Sequence, residues 1–333
     1  RSAQAAVAQI VEAQEELVKL AGKPKRDYTV TVAKEDLLEI GYAVDGDRIE
    51  DAIYAASKVE RGKKVGALRD EVEAAIKEKF PETTEFEIEQ VFEYIQKKAF
   101  RVSIMEKGVR ADGRKLRDLR TLYGEIGTLP RVHGSAIFSR GETQALGICT
   151  LAPADEKLYV DNYAGGEDSK NFFLHYNFPP FSVGETGRFG GMNRREIGHG
   201  ALAERSIAPM LPSTEDFPYS MRISSEVMES NGSTSMATVC AGTMALLDAG
   251  VPMIRPVACI STGLVTKQDV DGNMTKHVVI LDIIGSNDFY GDMDFELCGT
   301  SEGVTGYQLV LKLPGIPLAV LEVGIDLALE GRG

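Results

Sequence analysis

Residues 229–236 read E-S-N-G-S-T-S-M. Small residues around Gly232 form a loop, and a helix is expected to begin near Ser235 and end at 249, before Gly250 and Pro252. A helix start carries unpaired backbone N–H groups and a partial positive charge, so it favours anions. Small side chains let an oxyanion approach, and the hydroxyls of Ser233, Thr234 and Ser235 add donors. The same residues also suit a plain helix cap.

Working outward, 136–139 and 143–151 read as strands flanking the tight Arg140–Gly141–Glu142 turn. Further strands are expected at about 255–266, 277–284, 293–298 and 306–312. Helices are expected at 194–210 and from Leu318 into the terminal Gly-Arg-Gly. This mixture predicts an α+β domain over 101–333. Residues 1–100 differ: they are rich in Ala, Glu and Lys and show helical periodicity. Val7, Ile10, Val11, Leu17 and Leu20 fit one apolar stripe. More helix is expected at 33–40, 48–61 and 66–79, and from a Thr84/Glu87 capping box to Ala99. These predict a small all-α domain over 1–100 with a packing or positioning role. Its acidic residues are expected to carry much of the negative charge.

Two further stretches suggest chemistry. Residues 283–295, I-I-G-S-N-D-F-Y-G-D-M-D-F, put Asp288, Asp292 and Asp294 on a turn between strands, with Asp282 on the incoming strand. Clustered carboxylates repel unless a cation joins them, and oxygen ligands suit Mg²⁺ or Mn²⁺. An acidic hairpin turn would use the same residue types. Residues 193–200, N-R-R-E-I-G-H-G, put Arg195 and His199 four apart on one helical face beside Arg194. Arginines suit bidentate phosphate contacts. A solvated face paired to Glu196, with His199 packed, is the competing account. In the loop at 172–181, F-F-L-H-Y-N-F-P-P-F, Phe172, Phe173 and Phe178 read as core residues beside a Pro179–Pro180 bend.

The chain has 333 residues and a net charge of −13, so nucleic-acid binding would need a local cluster of arginines. Cys149, Cys240, Cys259 and Cys298 lack C-x-x-C spacing and read as buried, reduced thiols of a cytoplasmic protein. No apolar run of membrane-spanning length and no signal peptide are visible. The first residue, Arg1, suggests a piece of a longer chain.

Taken in order, these motifs resemble one family. R-A-D-G-R at 110–114 and L-P-R-V-H-G-S-A-I-F-S-R-G-E-T-Q-A-L at 129–146 resemble the opening of an RNase PH-like core (ribosomal protein S5 domain 2-like). The following motifs are similar to the second core of bacterial polynucleotide phosphorylase: F-L-H-Y-N-F-P-P-F-S-V-G-E-T-G, N-R-R-E-I-G-H-G, S-E-V-M-E-S-N-G-S-T-S-M-A and G-D-M-D-F. The preceding helices look like that family's α-helical domain. The resemblance implies 3′-to-5′ phosphorolysis of RNA to nucleoside diphosphates. It implies phosphate at Ser233, Thr234 and Ser235, and metal (Mg²⁺ or Mn²⁺) at Asp288 and Asp294. It makes Asp288, Asp294 and His199 catalytic and sets Arg194 and Arg195 against RNA. The implied assembly is a homotrimeric ring threaded by an RNA 3′ end, open to RNA-degradation partners and not tied to a membrane.

Three departures qualify that picture. The family pattern continues G-D-M-D-F-K, but here position 296 is Glu. An earlier core domain, and the KH and OB-fold modules that normally follow, are not in this sequence. A second hypothesis is therefore a catalytically silent, RNA-binding ring subunit of an exosome-like assembly. A third, a single-core RNase PH acting on tRNA ends, fits the H-Y-N-F-P-P and G-D-M-D-F motifs and the helical domain less well.

Overall fold

The computed structural model describes residues 2–28, 32–54, 58–161, 167–188, 190–191, 193–269 and 272–333. The chain opens with five α-helices: α1 (Ser2–Ala21), α2 (Glu35–Asp45), α3 (Arg48–Ile53), α4 (Lys58–Lys79) and α5 (Glu85–Val102). The Thr84/Glu87 capping box is formed, which fixes where α5 starts. Leu37, Ile49, Val72, Ile76, Ile88, Val91 and Ile95 from α2–α5 make one small core.

Three expectations for this region change. Residues read as separate stretches ending at 61 and starting at 66 form the continuous helix α4, while 55–57 lie outside the described residues. The apolar stripe of α1 packs against nothing described: Val7, Ile10, Leu17 and Leu20 are all exposed. The charge is also spread differently. Residues 1–100 hold 16 basic and 21 acidic residues, so only −5 of the −13 lies there.

The rest is α+β. The strands are β1 (Leu122–Ile126), β2 (Gly134–Arg140), β3 (Thr143–Pro153), β4 (Leu158–Asp161), β5 (Glu167–Lys170) and β6 (Phe172–Asn177). Then come α6 (Arg194–Ile207), β7 (Tyr219–Glu229), α7 (Thr234–Asp248), β8 (Ala258–Gln268) and β9 (Met274–Leu281). The chain closes with α8 (Gly285–Tyr290), β10 (Met293–Gly299), β11 (Val304–Leu311) and α9 (Leu318–Arg332). One sheet has the order β1-β2-β3-β7-β6, a second β11-β10-β8-β9, and β4 pairs with β5.

The aromatic stretch at 172–177, read as loop, is strand β6, paired parallel to β7. Strand β7 itself escaped the pattern reading, because Ser, Arg and Glu are mixed into Y-S-M-R-I-S-S-E-V-M-E. Its alternate residues Met221, Ile223, Ser225 and Val227 are nevertheless buried.

Helix α7 decides where the site lies. It is apolar nearly all round, and Met236, Ala237, Val239, Ala241, Ala245 and Leu246 are fully buried. Such a helix must be covered on every side, and α7 contacts β2, β3 and β7 of one sheet and β8 and β10 of the other. The approach is close. A Cβ at Gly147 would stand 2.7 Å from the Ala241 carbonyl, and one at Gly134 2.2 Å from that of Ala245. The start of α7 is thereby fixed between β7 and β10. The helical region is tied on through Phe100 and Ile104, packed with Val265, Ile280 and Ile283.

Candidate active site at the start of helix α7

Ser233 stands before α7 in a left-handed conformation (φ 54°, ψ 45°), and its side chain caps no helix N–H. The plain cap is thus not what this residue does. Its hydroxyl meets Ser261 Oγ at 2.5 Å, Thr234 Oγ1 meets Tyr176 Oη at 2.6 Å, and Ser235 Oγ donates to Glu296 Oε1 at 2.5 Å. Thr234 and Ser235 are buried. The hydroxyls therefore hold the loop to β6, β8 and β10. The free donors an anion would meet are the first backbone N–H groups of α7.

The loop is set from behind by one buried carboxylate. Asp282 is fully buried at φ 51° and faces three guanidinium groups. Arg114 Nη1 lies 2.8 Å from Oδ2, Arg120 Nη2 2.7 Å from Oδ1 and Arg140 Nε 3.0 Å from Oδ1. Burial alone would raise the Asp282 pKa; the arginines, Arg120 foremost, hold it well below the usual carboxylate range. Arg120 then donates to the Asn231 carbonyl at 2.9 Å and Arg140 to that of Ser233 at 2.9 Å. A Cβ on Gly232 (φ +86°) would sit 2.8 Å from the Gly285 nitrogen, so the serine loop and the start of α8 touch backbone to backbone.

The acidic stretch is not the open turn expected: residues 285–290 form the short helix α8. It sorts the aspartates. Asp292 is structural, bidentate to Arg101 at 2.8 and 2.9 Å and accepting from Thr266. Asp288 and Asp294 remain for the site, and Glu296 joins them. Asp294 is raised to about 8, first by burial, then by Glu296 and Asp288. Glu296 is raised by burial, against the pull of its bond from Ser235. Asp294 Oδ1 and Glu296 Oε2 are buried with no hydrogen-bond partner.

On α6, capped by Asn193 and Glu196, Arg194 is exposed. Arg195 lies over the Phe178 ring, 4.5 Å from its centroid. His199 stacks on Tyr176 at 5.4 Å, with Nδ1 buried and unpartnered. Burial, then Arg195, lowers the His199 pKa to about 4, so its imidazole is neutral at neutral pH. Glu196 is not the surface ion-pair partner expected. Its carboxylate is buried and accepts from the Phe178 and Asn193 N–H groups. A cavity of about 370 Å³ opens beside Phe178, with Asn177, Pro180, Arg188, Asn193 and Glu226 among its lining.

The residues proposed from sequence thus converge, except Arg194, for which no contact with the rest is seen. Sequence reasoning passed over Tyr176, the arginine network and Lys312. Lys312 Nζ donates to the Asp288 carbonyl and lies 3.9 Å from Asp288 Oδ1. All four cysteines are free, with Cys240 partly exposed.

Two family models match the chain. One is the 3′ exoribonuclease family, domain 1, over 118–252; the other is the polyribonucleotide nucleotidyltransferase RNA binding domain, over 37–115. A polyribonucleotide nucleotidyltransferase of Akkermansia muciniphila is 68% identical over 333 residues, covering 100% of this chain and 47% of the relative. One of Opitutus terrae is 49% identical over 326 residues, covering 97% and 45%. The chain belongs to the polyribonucleotide nucleotidyltransferase family. It spans about half the length of the curated relatives it matches. The crystal structure of rice (Oryza sativa) Rrp46 is 20% identical with a TM-score of 0.52, covering 67% of this chain and 94% of that one, which shows a shared fold. The second family model covers much of the helical region, expected to have a packing or positioning role, and is described as an RNA binding domain. Among the described residues no helix is long and apolar enough to cross a membrane.

Proposed function

We propose that this chain carries the reaction centre of a 3′-to-5′ phosphorolytic exoribonuclease, in which phosphate attacks the terminal RNA linkage and releases a nucleoside diphosphate. The observation that carries it is the meeting of an anion-favouring helix start (Ser233–Ser235), two carboxylates (Asp288 and Asp294, the second with a buried, unpartnered oxygen) and a basic, aromatic helix face (Arg195, His199). A nucleophile and a target that are both anionic need that combination.

Among the described residues no three His, Cys, Asp or Glu side chains converge as a metal cage. Two do suffice for Mg²⁺ or Mn²⁺, which use one or two carboxylates plus water and phosphate oxygens. The buried, unpartnered Asp294 Oδ1 and the raised Asp294 pKa fit that role. A bound cation at Asp288 and Asp294 would offset charge building on the transferred phosphoryl group. The backbone N–H groups of α7 would hold the attacking phosphate in line. Neutral His199 would offer a hydrogen bond without adding charge. Arg195 and Phe178 would receive the terminal nucleotide beside the cavity that Phe178 lines, with Arg194 further along the RNA. We take 1–100 as the RNA-guiding domain, 101–333 as the catalytic one, and a homotrimeric ring in the cytoplasm as the working form.

Incubation with a poly(A) oligonucleotide, Mg²⁺ and phosphate tests this. ADP release only when phosphate is present is the expected result. RNA retention without release would favour the silent, exosome-like subunit instead. Glu296 is the one feature pointing that way, while relatives up to 68% identical carry an enzyme's name.

A further inference from the structure

Position 296 of β10 holds a buried carboxylate where the resembled pattern has a lysine. Asp288, Asp294 and Glu296 act on one another through their charges, and a polyanionic reaction needs cations beside them. Two of the cations that act on Asp294 or Glu296 are committed elsewhere. Arg140 is buried and engaged with Asp282 and the Ser233 carbonyl. Arg195 lies over the Phe178 ring.

The third lies just past the next strand. Asp294 pairs with Val310 and Glu296 with Gln308 across β10 and β11. The ladder continues one step past the strand, where Lys312 N donates to the Asp292 carbonyl at 3.0 Å. Directly paired residues in an antiparallel ladder share a face, and so do residues two apart. Lys312 thus lies on the sheet face of Asp294 and Glu296. Its Nζ donates to the carbonyls of Asp288 and Phe289, the latter at 3.1 Å, and stands 3.9 Å from Asp288 Oδ1. The side chain is 39% exposed, so Lys312 is reached by solvent although its Nζ rests on these carbonyls.

Resting on the phosphorolytic reading above, we propose that Lys312 is the lysine of this site, donating from just past β11 to the attacking phosphate in place of the cation that position 296 lacks. A lysine suits the task, because its compact ammonium on a flexible stem can leave the α8 carbonyls for a phosphate oxygen. A residue that only capped the end of α8 would stabilise that helix and leave phosphate alone.

Calorimetric titration of the chain with inorganic phosphate in Mg²⁺ separates the two. Lys312→Met should weaken phosphate binding roughly 10- to 100-fold, the scale of one lost charge-assisted hydrogen bond. Lys312→Arg should retain most of the affinity. Moving the charge, in Glu296→Lys/Lys312→Met, should recover it. Lys312→Met binding phosphate like the parent, whatever its melting temperature, overturns the proposal. So does a double variant no tighter than Lys312→Met. The function itself fails on different results: a parent chain that binds no phosphate, or one that binds it and releases no ADP from poly(A).

Discussion

At the residue scale, Glu296 and Asp294 are the informative pair. Glu296 is locked by Ser235 and buried, so it withholds an oxygen from solvent while adding negative charge beside Asp294. Glu296→Lys should therefore raise phosphorolysis, by about tenfold if one charged donor is gained; an unchanged or lower rate in the ADP-release assay would show that position 296 does not limit the reaction. Asp294 gives a second prediction. Its pKa rises from 3.8 to about 8 on folding, so between those values the folded chain holds a proton that the unfolded chain has released. Stability should then fall as pH rises across that range, in chelator and without divalent metal. Asp294→Asn should flatten that part of the curve in urea melts at pH 5 and pH 8.5, and a wild-type slope retained by the variant would assign the effect to another group. Adding Mg²⁺ should restore stability to the parent at high pH and much less to Asp294→Asn.

At the element scale, the serine loop and α8 are joined by contacts that no local pattern reveals. Gly232 permits the positive φ and the close approach to Gly285, and Ala there meets both backbone strain and a clash. Gly232→Ala is expected to weaken phosphate binding and lower the melting temperature together. Binding kept intact beside a lowered melting temperature would separate the loop from the site. Asp282 holds β2, the serine loop and α8 in register through its arginines. Asp282→Ala leaves buried guanidinium groups without their counter-charge, so a loss of about 3–5 kcal/mol is expected in chemical denaturation. The strands flanking 141, the α7 span and the β8–β11 order were legible from periodicity and turn residues, to within a few positions. Strand β7 was not, because its buried serines look polar while Ser225 finds Thr238 at 2.8 Å inside the fold. The parallel strand β6 was read as loop, because its aromatics alternate with His175 and Asn177 before two prolines.

At the scale of the whole molecule, the net charge of −13 is not confined to the helical region, since −8 belongs to residues 101–333. Cations nevertheless gather at and behind one helix start: Arg114, Arg120 and Arg140 on Asp282, Arg195 over the Phe178 ring and Lys312 beside Asp288. RNA binding at this face should accordingly be salt-sensitive. A trimeric ring predicts a solution mass of three times 36.2 kDa by analytical ultracentrifugation. A monomer mass with retained phosphorolysis would show that the site is complete within one chain.

The sequence by itself determined the α+β class, the family and most of the longer helices, because motif order and hydrophobic period are local properties. Only the tertiary structure decided that Asp292 is committed to Arg101, that the three hydroxyls face inward, and that a lysine just past β11 stands beside Asp288. Those outcomes depend on strand register and on burial around Asp282. Both are set by residues distant in the chain whose charges become decisive only when packing removes water from between them.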